Sequence, residues 1–342
     1  MGSRRELVAL ALQRAPSLRP DEKLLVWDLV ADEAAFASLS LRDLESFVGR
    51  RFESAAWTPA SLLEAAAEDA ILLARIGARQ VLFDDPEYPP LLRETFRPPF
   101  GLYYRGTSLP ADVPCAAIVG TRSPTGRGLD AARRLAFGLA ASGLPVVSGL
   151  ARGIDAAAHR GAIEACGPTC AVLPCGPDAI YPPSNKELAA AILDSGGLLM
   201  TEYPPDSGMH KYRFPERNRI IAGVARACAV VEAPEGSGAL ITAEHALQEG
   251  RDVWVSAPCS GGPRSAGSDR LEADGARALS FAAELLEDWG LRVPAAARRA
   301  CFMPSTLALA AASPSPGGAG RSLAASLRAE LGLAAAGAEL HG

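Results

Sequence analysis

The pattern of apolar positions along the chain changes near residue 115. Between about Glu6 and Ile76, apolar residues recur at i, i+3 and i+4, the spacing of helices that bury one face. From Cys115 to about Trp289, short apolar runs alternate with helix-length stretches, and the runs that we predict to be strands span 116–119, 145–148, 170–173, 198–201, 229–232 and 253–256. This alternation predicts an α/β fold with a doubly wound, mostly parallel sheet, preceded by a small helical domain.

Glycine and proline refine this prediction. Gly143 and Gly167 each follow a helix-length segment, at the position where a left-handed residue commonly ends a helix. A proline-rich stretch precedes a further apolar run at 100–104. Because proline donates no hydrogen bond to a sheet, we predict that this run is an edge strand or a connector.

Composition excludes several classes of protein. The chain has 342 residues, of which 49% are hydrophobic and 21% charged, as in ordinary globular proteins. It contains neither a secretory signal nor an apolar run near the ~20 residues of a membrane helix, so we expect a cytoplasmic protein without membrane contact. The seven cysteines lie mostly in apolar runs and lack paired Cys-x-x-Cys spacing. We therefore expect buried thiols, no disulfide framework, no metal and no cofactor.

The net charge of −5 argues against nonspecific nucleic-acid binding over the whole surface, but segment 210–224 concentrates positive charge. Its first half is opposed only by Glu216 and carries Lys211, Arg213, Phe214, Arg217, Asn218 and Arg219. Its apolar second half predicts a helix docked on a core, with Pro215 in the first turn. Cations and an aromatic ring at a helix N-terminus suit a phosphate and a base. The alternative is a solvated basic loop with Phe214 in the core.

Two loops that follow predicted strands combine glycine with arginine. They contain Gly120, Thr121 and Arg122 after the first strand, and Ser148, Gly149, Arg152 and Gly153 after the second. Open parallel sheets bind ligands at this edge, near the point where the strand order reverses. Glycine lets backbone N–H groups approach a phosphate, and arginine supplies a forked charge. The alternative for each loop is a tight turn.

The sequence shows no specific catalytic set. The glycine spacing matches neither the dinucleotide fingerprint nor the Walker motif. Asp155 and His159 are four residues apart on one predicted helix. We interpret Asp155 as a complement to the helix dipole and His159 as a structural residue.

Several long motifs follow one another between residues 88 and 276. They are Gly120-Thr-Arg, Ser148-Gly-Leu-Ala-Arg-Gly-Ile-Asp-Ala-Ala-Ala-His-Arg-Gly-Ala, Tyr181-Pro-Pro-Ser-Asn, Thr201-Glu-Tyr-Pro-Pro, Phe214-Pro-Glu-Arg-Asn-Arg-Ile-Ile-Ala-Gly, Ser237-Gly-Ala-Leu-Ile-Thr-Ala and Gly250-Arg-Asp-Val-Trp. In this order the set resembles the DNA-processing protein A family (DprA, also called Smf). Departures from the family pattern are Cys259, Asp269 and Glu272.

The resemblance implies a Rossmann-like domain that binds single-stranded DNA, delivers it to the RecA recombinase, forms a homodimer and acts in natural transformation without enzymatic turnover. Carried over by motif, Arg122, Arg152 and Lys211 would hold phosphates. Phe214 would stack on a base, and the groove would also include Arg217, Asn218, Gly120, Thr121, Ser148, Gly149 and Gly153.

We therefore divide the chain into a small helical (SAM-like) domain over 1–78, a Rossmann-like DNA-binding domain over 79–290, and a linker with a short tail over 291–342. We expect this tail not to form the winged helix that many relatives carry. One alternative is an enzyme that resembles nucleotide phosphoribohydrolases of similar fold, whose motif would fall on 234–242. Thr242 stands there in place of the catalytic glutamate. Another alternative is a scaffold without a nucleic-acid partner.

Overall fold

A computed structural model describes residues 5–52 and 57–292. Within these residues, nine strands form one sheet in the order β1-β2-β6-β5-β4-β3-β7-β8-β9. The strands are β1 (Ala78–Leu82), β2 (Gly101–Gly106), β3 (Ala116–Val119), β4 (Val146–Ser148), β5 (Thr169–Val172), β6 (Leu198–Thr201), β7 (Ala227–Val230), β8 (Asp252–Ser256) and β9 (Arg277–Leu279). The pairs β1–β2 and β2–β6 are antiparallel, and all other pairs are parallel. The predicted α/β class, with its mostly parallel sheet, is confirmed.

Helices precede the sheet and cover both of its faces. They are α1 (Glu6–Arg14), α2 (Pro20–Leu29), α3 (Glu33–Ser38), α4 (Leu41–Val48), α5 (Pro59–Ile76), α6 (Pro90–Arg93), α7 (Gly126–Ala141), α8 (Ile154–Glu164), α9 (Lys186–Asp194), α10 (Arg213–Val224), α11 (Gly238–Gln248), α12 (Ala266–Ala273) and α13 (Ala282–Asp288). Helices α1 to α5 form the predicted helical region, and their core continues onto β1 and β2 through Leu82, Phe100 and Tyr103. The boundaries of the three predicted domains stay a prediction, and residues 293–342 of the tail lie outside the described part.

Strand β3 shows why the predicted strands read as continuous apolar runs. Ala116 and Ile118 pack in the core that contains α7, α8 and α13. Ala117 and Val119 point to the opposite face and pack in the core that contains α10 and α11. Alternate side chains of a strand face opposite sides, so a strand covered on both sides has apolar residues throughout.

The strand order reverses at β3. This strand pairs with β4 on one side and β7 on the other, and both neighbours run parallel to it. The chain proceeds outward from β3 to β6 along one half of the sheet and from β7 to β9 along the other. The crevice beyond the carboxyl ends of β3 and β7 is therefore the switch point of the sheet.

The prediction for run 100–104 was wrong in one respect. Strand β2 is paired on both sides, with β1 and with β6, and β1 forms the edge. Pro98 and Pro99 precede the strand, so neither removes a hydrogen-bond donor from the ladder. Strand β1 was absent from the prediction.

The two predicted helix-ending glycines have different roles. Gly143 has φ +81°, as expected for a left-handed residue after α7. After α8, however, the left-handed residue is Cys166 with φ 51°. Position 167 requires glycine for another reason, because a Cβ atom there would lie 2.4 Å from the carbonyl oxygen of Ala140 in α7.

Helix α1 contacts the loop between β6 and α10. The Gln13 side chain donates a 2.7 Å hydrogen bond to the Glu202 carbonyl, and Arg14 donates a 2.9 Å bond to the Pro205 carbonyl. Arg14 also forms a 2.5 Å ion pair with the buried Asp69 of α5, which fixes the direction of its side chain. The helical region thus holds the loop that leads into the basic segment.

Within the described residues, six cysteines are free, and all except Cys166 are buried. The search for helices of sufficient length and apolar character to cross a bilayer, over the same residues, found none.

Candidate nucleic-acid interface

The loops after β3 and β4 cross at close range in the switch-point crevice. Gly153 has φ +81°, and a Cβ atom there would lie 2.4 Å from the Thr121 carbonyl oxygen. At Gly120, a Cβ atom would lie 2.5 Å from Ile154. Both glycines are needed because the two loops leave no room for a side chain between them. The Thr121 amide also donates a 2.7 Å hydrogen bond to the Glu232 carbonyl, which ties the first loop to β7.

Helix α10 brings the aromatic ring of Phe214 to this crevice. Phe214 is half-buried, and the exposed Arg122 places its guanidinium 4.9 Å from the ring centroid. The Tyr181 ring meets Phe214 edge-on, with centroids 5.5 Å apart and planes at 67°. The apolar second half of α10, including Ile220 and Ile221, is buried in the core as predicted. The alternative in which Phe214 lies inside the core is therefore excluded.

Two neighbouring clefts meet around Phe214. Both are lined by Phe214, and both also include Arg122, Ala151 and Arg217. The first, which we call the arginine cleft, has a volume of about 310 Å³ and is lined by Arg122, Ser123, Gly149, Ala151, Arg152, Tyr181, Pro182, Pro183, Phe214 and Arg217. The second, which we call the switch-point cleft, has a volume of about 450 Å³ and extends to residues 234–239 and 241–242. A cationic and aromatic trough thus continues into a cavity at the start of α11.

Arg217 forms the floor of both clefts. It is 3% exposed, and a Cβ atom on Gly149 would lie 1.7 Å from its Nη1 atom, so glycine at position 149 leaves the space that the guanidinium occupies. Burial lowers the pKa of Arg217 to about 10, although the nearby Asp155 carboxylate opposes that change. Arg217 therefore remains a cation at neutral pH. Its position under the clefts, rather than on a rim, was not apparent from the sequence.

Asp155 lies in the first turn of α8 and His159 lies in the interior, as predicted. The Asp155 carboxylate accepts 3.2 Å hydrogen bonds from the amides of Gly149 and Ala151, and so shapes the second loop. Burial raises its pKa, while Arg217 and these amides lower it. His159 is fully buried, and its Nδ1 atom lies 2.8 Å from the Thr169 hydroxyl. Burial lowers the pKa of His159 to about 3, so the ring is neutral and suited to packing.

The other predicted site residues are placed at different depths. Arg152 is exposed and donates a 3.2 Å hydrogen bond to Ser184. Lys211 is exposed in the turn before α10. Asn218 donates a 3.2 Å hydrogen bond to the Gly238 carbonyl, so it joins α10 to α11. Ser148 is 0% exposed and donates to the Ile118 carbonyl, so we correct its expected role in the groove to internal support of the loop.

Sequence reasoning missed two parts of the site. Tyr181 belongs to a motif that was recognised, yet only the structure reveals its contact with Phe214. The start of α11 also belongs to a recognised motif, and only the structure shows that it lines the switch-point cleft together with Arg217. Asp269, a departure from the family pattern, accepts 3.2 Å hydrogen bonds from the Gly261 amide and a 2.7 Å bond from Ser265, so it holds the loop after β8. The residues that the structure describes contain no cluster of His, Cys, Asp and Glu that could hold a metal ion.

The fold and this arrangement define a doubly wound α/β protein with an anion-attracting cleft near its switch point. The chain belongs to the DNA recombination-mediator protein A family, whose profile matches residues 79–290. The predicted family and the Rossmann-like class are thereby confirmed.

Comparison with curated relatives supports this assignment. Protein Smf from Synechocystis is 48% identical over 175 residues, which cover 50% of this chain and 44% of that protein. DNA processing protein DprA from Streptococcus pneumoniae is 38% identical over 205 residues, which cover 60% of this chain and 72% of that protein. Protein Smf from Escherichia coli is matched over 55% of its length. The chain spans about half the length of the two Smf proteins.

Solved structures show the same fold. The X-ray structure of DprA from Streptococcus pneumoniae is similar with a TM-score of 0.66 and 32% identity, over 82% of this chain and 97% of that one. DprA from Helicobacter pylori is similar with a TM-score of 0.56 and 26% identity, over 63% of this chain and 97% of that one. The latter structure was described for the single-stranded DNA binding mode of that protein.

Proposed function

We propose that this chain binds single-stranded DNA across the arginine cleft, takes part in DNA processing during natural transformation and loads the strand onto RecA. The observation that carries the proposal is Phe214, which lies half-buried beside Arg122 and Tyr181. An aromatic face accepts any base, and arginine neutralises backbone phosphate without reading sequence. The binding mode for which the Helicobacter pylori relative is described supports the same choice of ligand.

The local charge favours a polyanion despite the acidic chain. Three arginines and no acidic side chain are among the described residues that line the arginine cleft. A cleft that carries one sign of charge concentrates ligands of the opposite sign. The net charge of −5 is therefore located mainly elsewhere on the protein, and the scaffold alternative without a nucleic-acid partner is disfavoured.

We propose further that the protein acts by binding, without turnover, as a homodimer in the cytoplasm. The phosphoribohydrolase alternative needs a carboxylate at position 242, but Thr242 occupies it and is 2% exposed. Release of free base from a nucleoside monophosphate by the purified protein would favour the enzyme instead.

Fluorescence anisotropy with labelled oligothymidylate over a range of salt concentrations tests the proposal. We expect the logarithm of affinity to fall with the logarithm of salt concentration, with a slope of about −0.7 for each phosphate contacted. Arg122→Ala and Arg152→Ala should each make that slope less steep. Arg42→Ala, which removes a charge from helix α4 of the helical region, is the matched control. Affinity that does not change with salt would contradict the proposal.

A further inference from the structure

The switch-point cleft has features that binding of a continuous strand in the arginine cleft does not use. One wall is the start of α11, an eleven-residue helix that begins at Gly238 after the cap residue Ser237. The first N–H groups of a helix have no acceptor inside it, and the helix dipole adds partial positive charge at this end. A Cβ atom on Gly236 or Gly238 would meet nothing within 4 Å, so there is open space directly beside this backbone.

Arg217 supplies an independent observation on the floor of the same cleft. Its Nε atom is buried and has no hydrogen-bond partner in the described part of the chain. A buried N–H group without an acceptor is costly unless a ligand provides one. The charge that most stabilises the Arg217 cation is the Asp155 carboxylate, which already accepts hydrogen bonds from two backbone amides. Arg122 lines the cleft as well, so two guanidinium groups and a helix N-terminus share one space with the Asp155 and Glu235 carboxylates.

The charge of the site favours a phosphate monoester over a phosphodiester. A monoester carries about two negative charges near neutral pH, whereas each backbone phosphodiester carries one. Asp155 and Glu235 also line the cleft and offset the two guanidinium charges. Asp155 is already engaged by Arg217 and two backbone amides, so Arg122 and the helix terminus remain for the second charge and the third free oxygen of a monoester. The exposed Glu235 on the rim opposes an anion, but it lies at the opening while Arg217 is on the floor. A cleft of about 450 Å³ is also large enough for a nucleotide.

We propose that the switch-point cleft binds the phosphate monoester of a nucleotide. The same chemistry is presented by the phosphorylated end of a DNA strand and by a free nucleoside monophosphate. The first source rests on the proposed single-strand binding, because the strand in the arginine cleft would have to end beside Arg217. The second source is independent of it.

The test measures the affinity of the protein for short oligothymidylates that carry a 5′-phosphate, a 3′-phosphate or only hydroxyl ends. In a second arm, thymidine monophosphate and thymidine are each titrated into the protein. We expect a terminal phosphate to raise affinity about tenfold, the effect of one charge-assisted hydrogen bond. Preference for a phosphorylated end identifies the strand end as the source, and binding of the monophosphate alone identifies the free nucleotide. If hydroxyl-ended oligonucleotides bind but neither form of monoester shows an advantage, this inference fails while the proposed function stands.

Gly238 offers a matched pair of variants. Gly238→Asp places a carboxylate at the start of α11, where it favours the helix but repels an anion. Gly238→Asn has nearly the same shape without the charge. We expect the affinity ratio of phosphorylated to hydroxyl-ended oligonucleotide to fall to about one in the first variant and to persist in the second. Equal ratios in the two variants would overturn the proposal. If Gly238→Asp does not fold, the exposed Gly236 of the same cleft gives a second matched pair, Gly236→Asp and Gly236→Asn, because aspartate and asparagine tolerate its φ of +72°.

Discussion

At the scale of single residues, Phe214 carries most of the account. Its ring is neither sealed in the core nor free in solvent, because Arg122 and Tyr181 flank it and the next turns of α10 anchor its backbone. Such a ring is held in place for stacking before a base arrives, so little ordering entropy is lost on binding. In the proposed complex, this position would let one aromatic residue add to affinity without adding sequence preference.

We predict that Phe214→Ala weakens binding of oligothymidylate by about 1–3 kcal/mol, or roughly five- to 150-fold, because stacking on one base is lost. Fluorescence anisotropy measures the change. The control is Phe96→Ala, since Phe96 is 89% exposed in the loop before β2. Equal losses in both variants would count against the assigned role of Phe214.

Gly153 is the residue on which the loop geometry depends most. A side chain there would meet the Thr121 backbone carbonyl at 2.4 Å, and the φ of +81° is unfavourable for any residue with a Cβ atom. We predict that Gly153→Ala lowers the free energy of unfolding by about 2–4 kcal/mol, as judged by chemical denaturation. In Gly126→Ala, a Cβ atom meets nothing within 4 Å, and the stability should be unchanged or slightly higher. A neutral Gly153→Ala would show that the two loops can separate.

At the scale of single residues, the sequence predicted the chemical type of the site residues better than their burial. Glycine and arginine in the loops, and the aromatic ring beside cations, were recognised from their spacing. Burial was not, because the buried Ser148 belongs to the same motif as the exposed Arg152, and the buried Arg217 belongs to the same basic segment as the exposed Lys211. Whether a polar residue faces a cleft or the interior depends on loops and helices that are distant in sequence, such as α10 over Gly149.

At the scale of elements, the six central strands could be predicted because each is covered on both faces and reads as an apolar run. The antiparallel pairing at one margin of the sheet, of β2 with β1 and β6, could not be predicted. Strand β1 has only one fully buried position, Val81, so its pattern is weak. The pairing of β2 with β6 joins Tyr103 to Thr201, which are far apart in the chain, and no local pattern encodes it.

Helix α2 carries a buried lysine that links stability to pH. Burial lowers the pKa of Lys23 to about 8, while Glu202 opposes the change, and the amine donates a 2.8 Å hydrogen bond to the Gln13 carbonyl. Below that pKa both folded and unfolded chains hold the proton, and the cost of burying the charge is fully present. As pH rises from about 8 toward the normal lysine value near 10.4, the folded protein loses the proton first and the cost is relieved.

We therefore predict that stability relative to Lys23→Met rises with pH in this window, by up to about 3 kcal/mol. Denaturant unfolding at a series of pH values measures this difference. Lys186→Met, at an exposed site in α9, should show no comparable trend. A difference that stays constant with pH would mean that Lys23 titrates normally in the folded protein.

At the scale of the whole molecule, the faces and the carboxyl edge of the sheet have different roles. The two sheet faces hold the cores, the carboxyl edge near the switch point gathers the arginines, and the helical region holds the loop before α10. An acidic protein can therefore bind a polyanion, because net charge governs long-range behaviour while the local cleft governs contact. The net charge could be read from composition, but the charge of the local cleft could not.

The most direct test of the central claim is ultraviolet crosslinking of oligothymidylate to the full chain, followed by mass spectrometry of the peptides. If a single strand lies across the arginine cleft, the crosslinked peptides will contain Phe214 or Tyr181, and the yield will fall with added salt. Crosslinks that occur only on the helical region or on the opposite edge of the sheet would contradict the account.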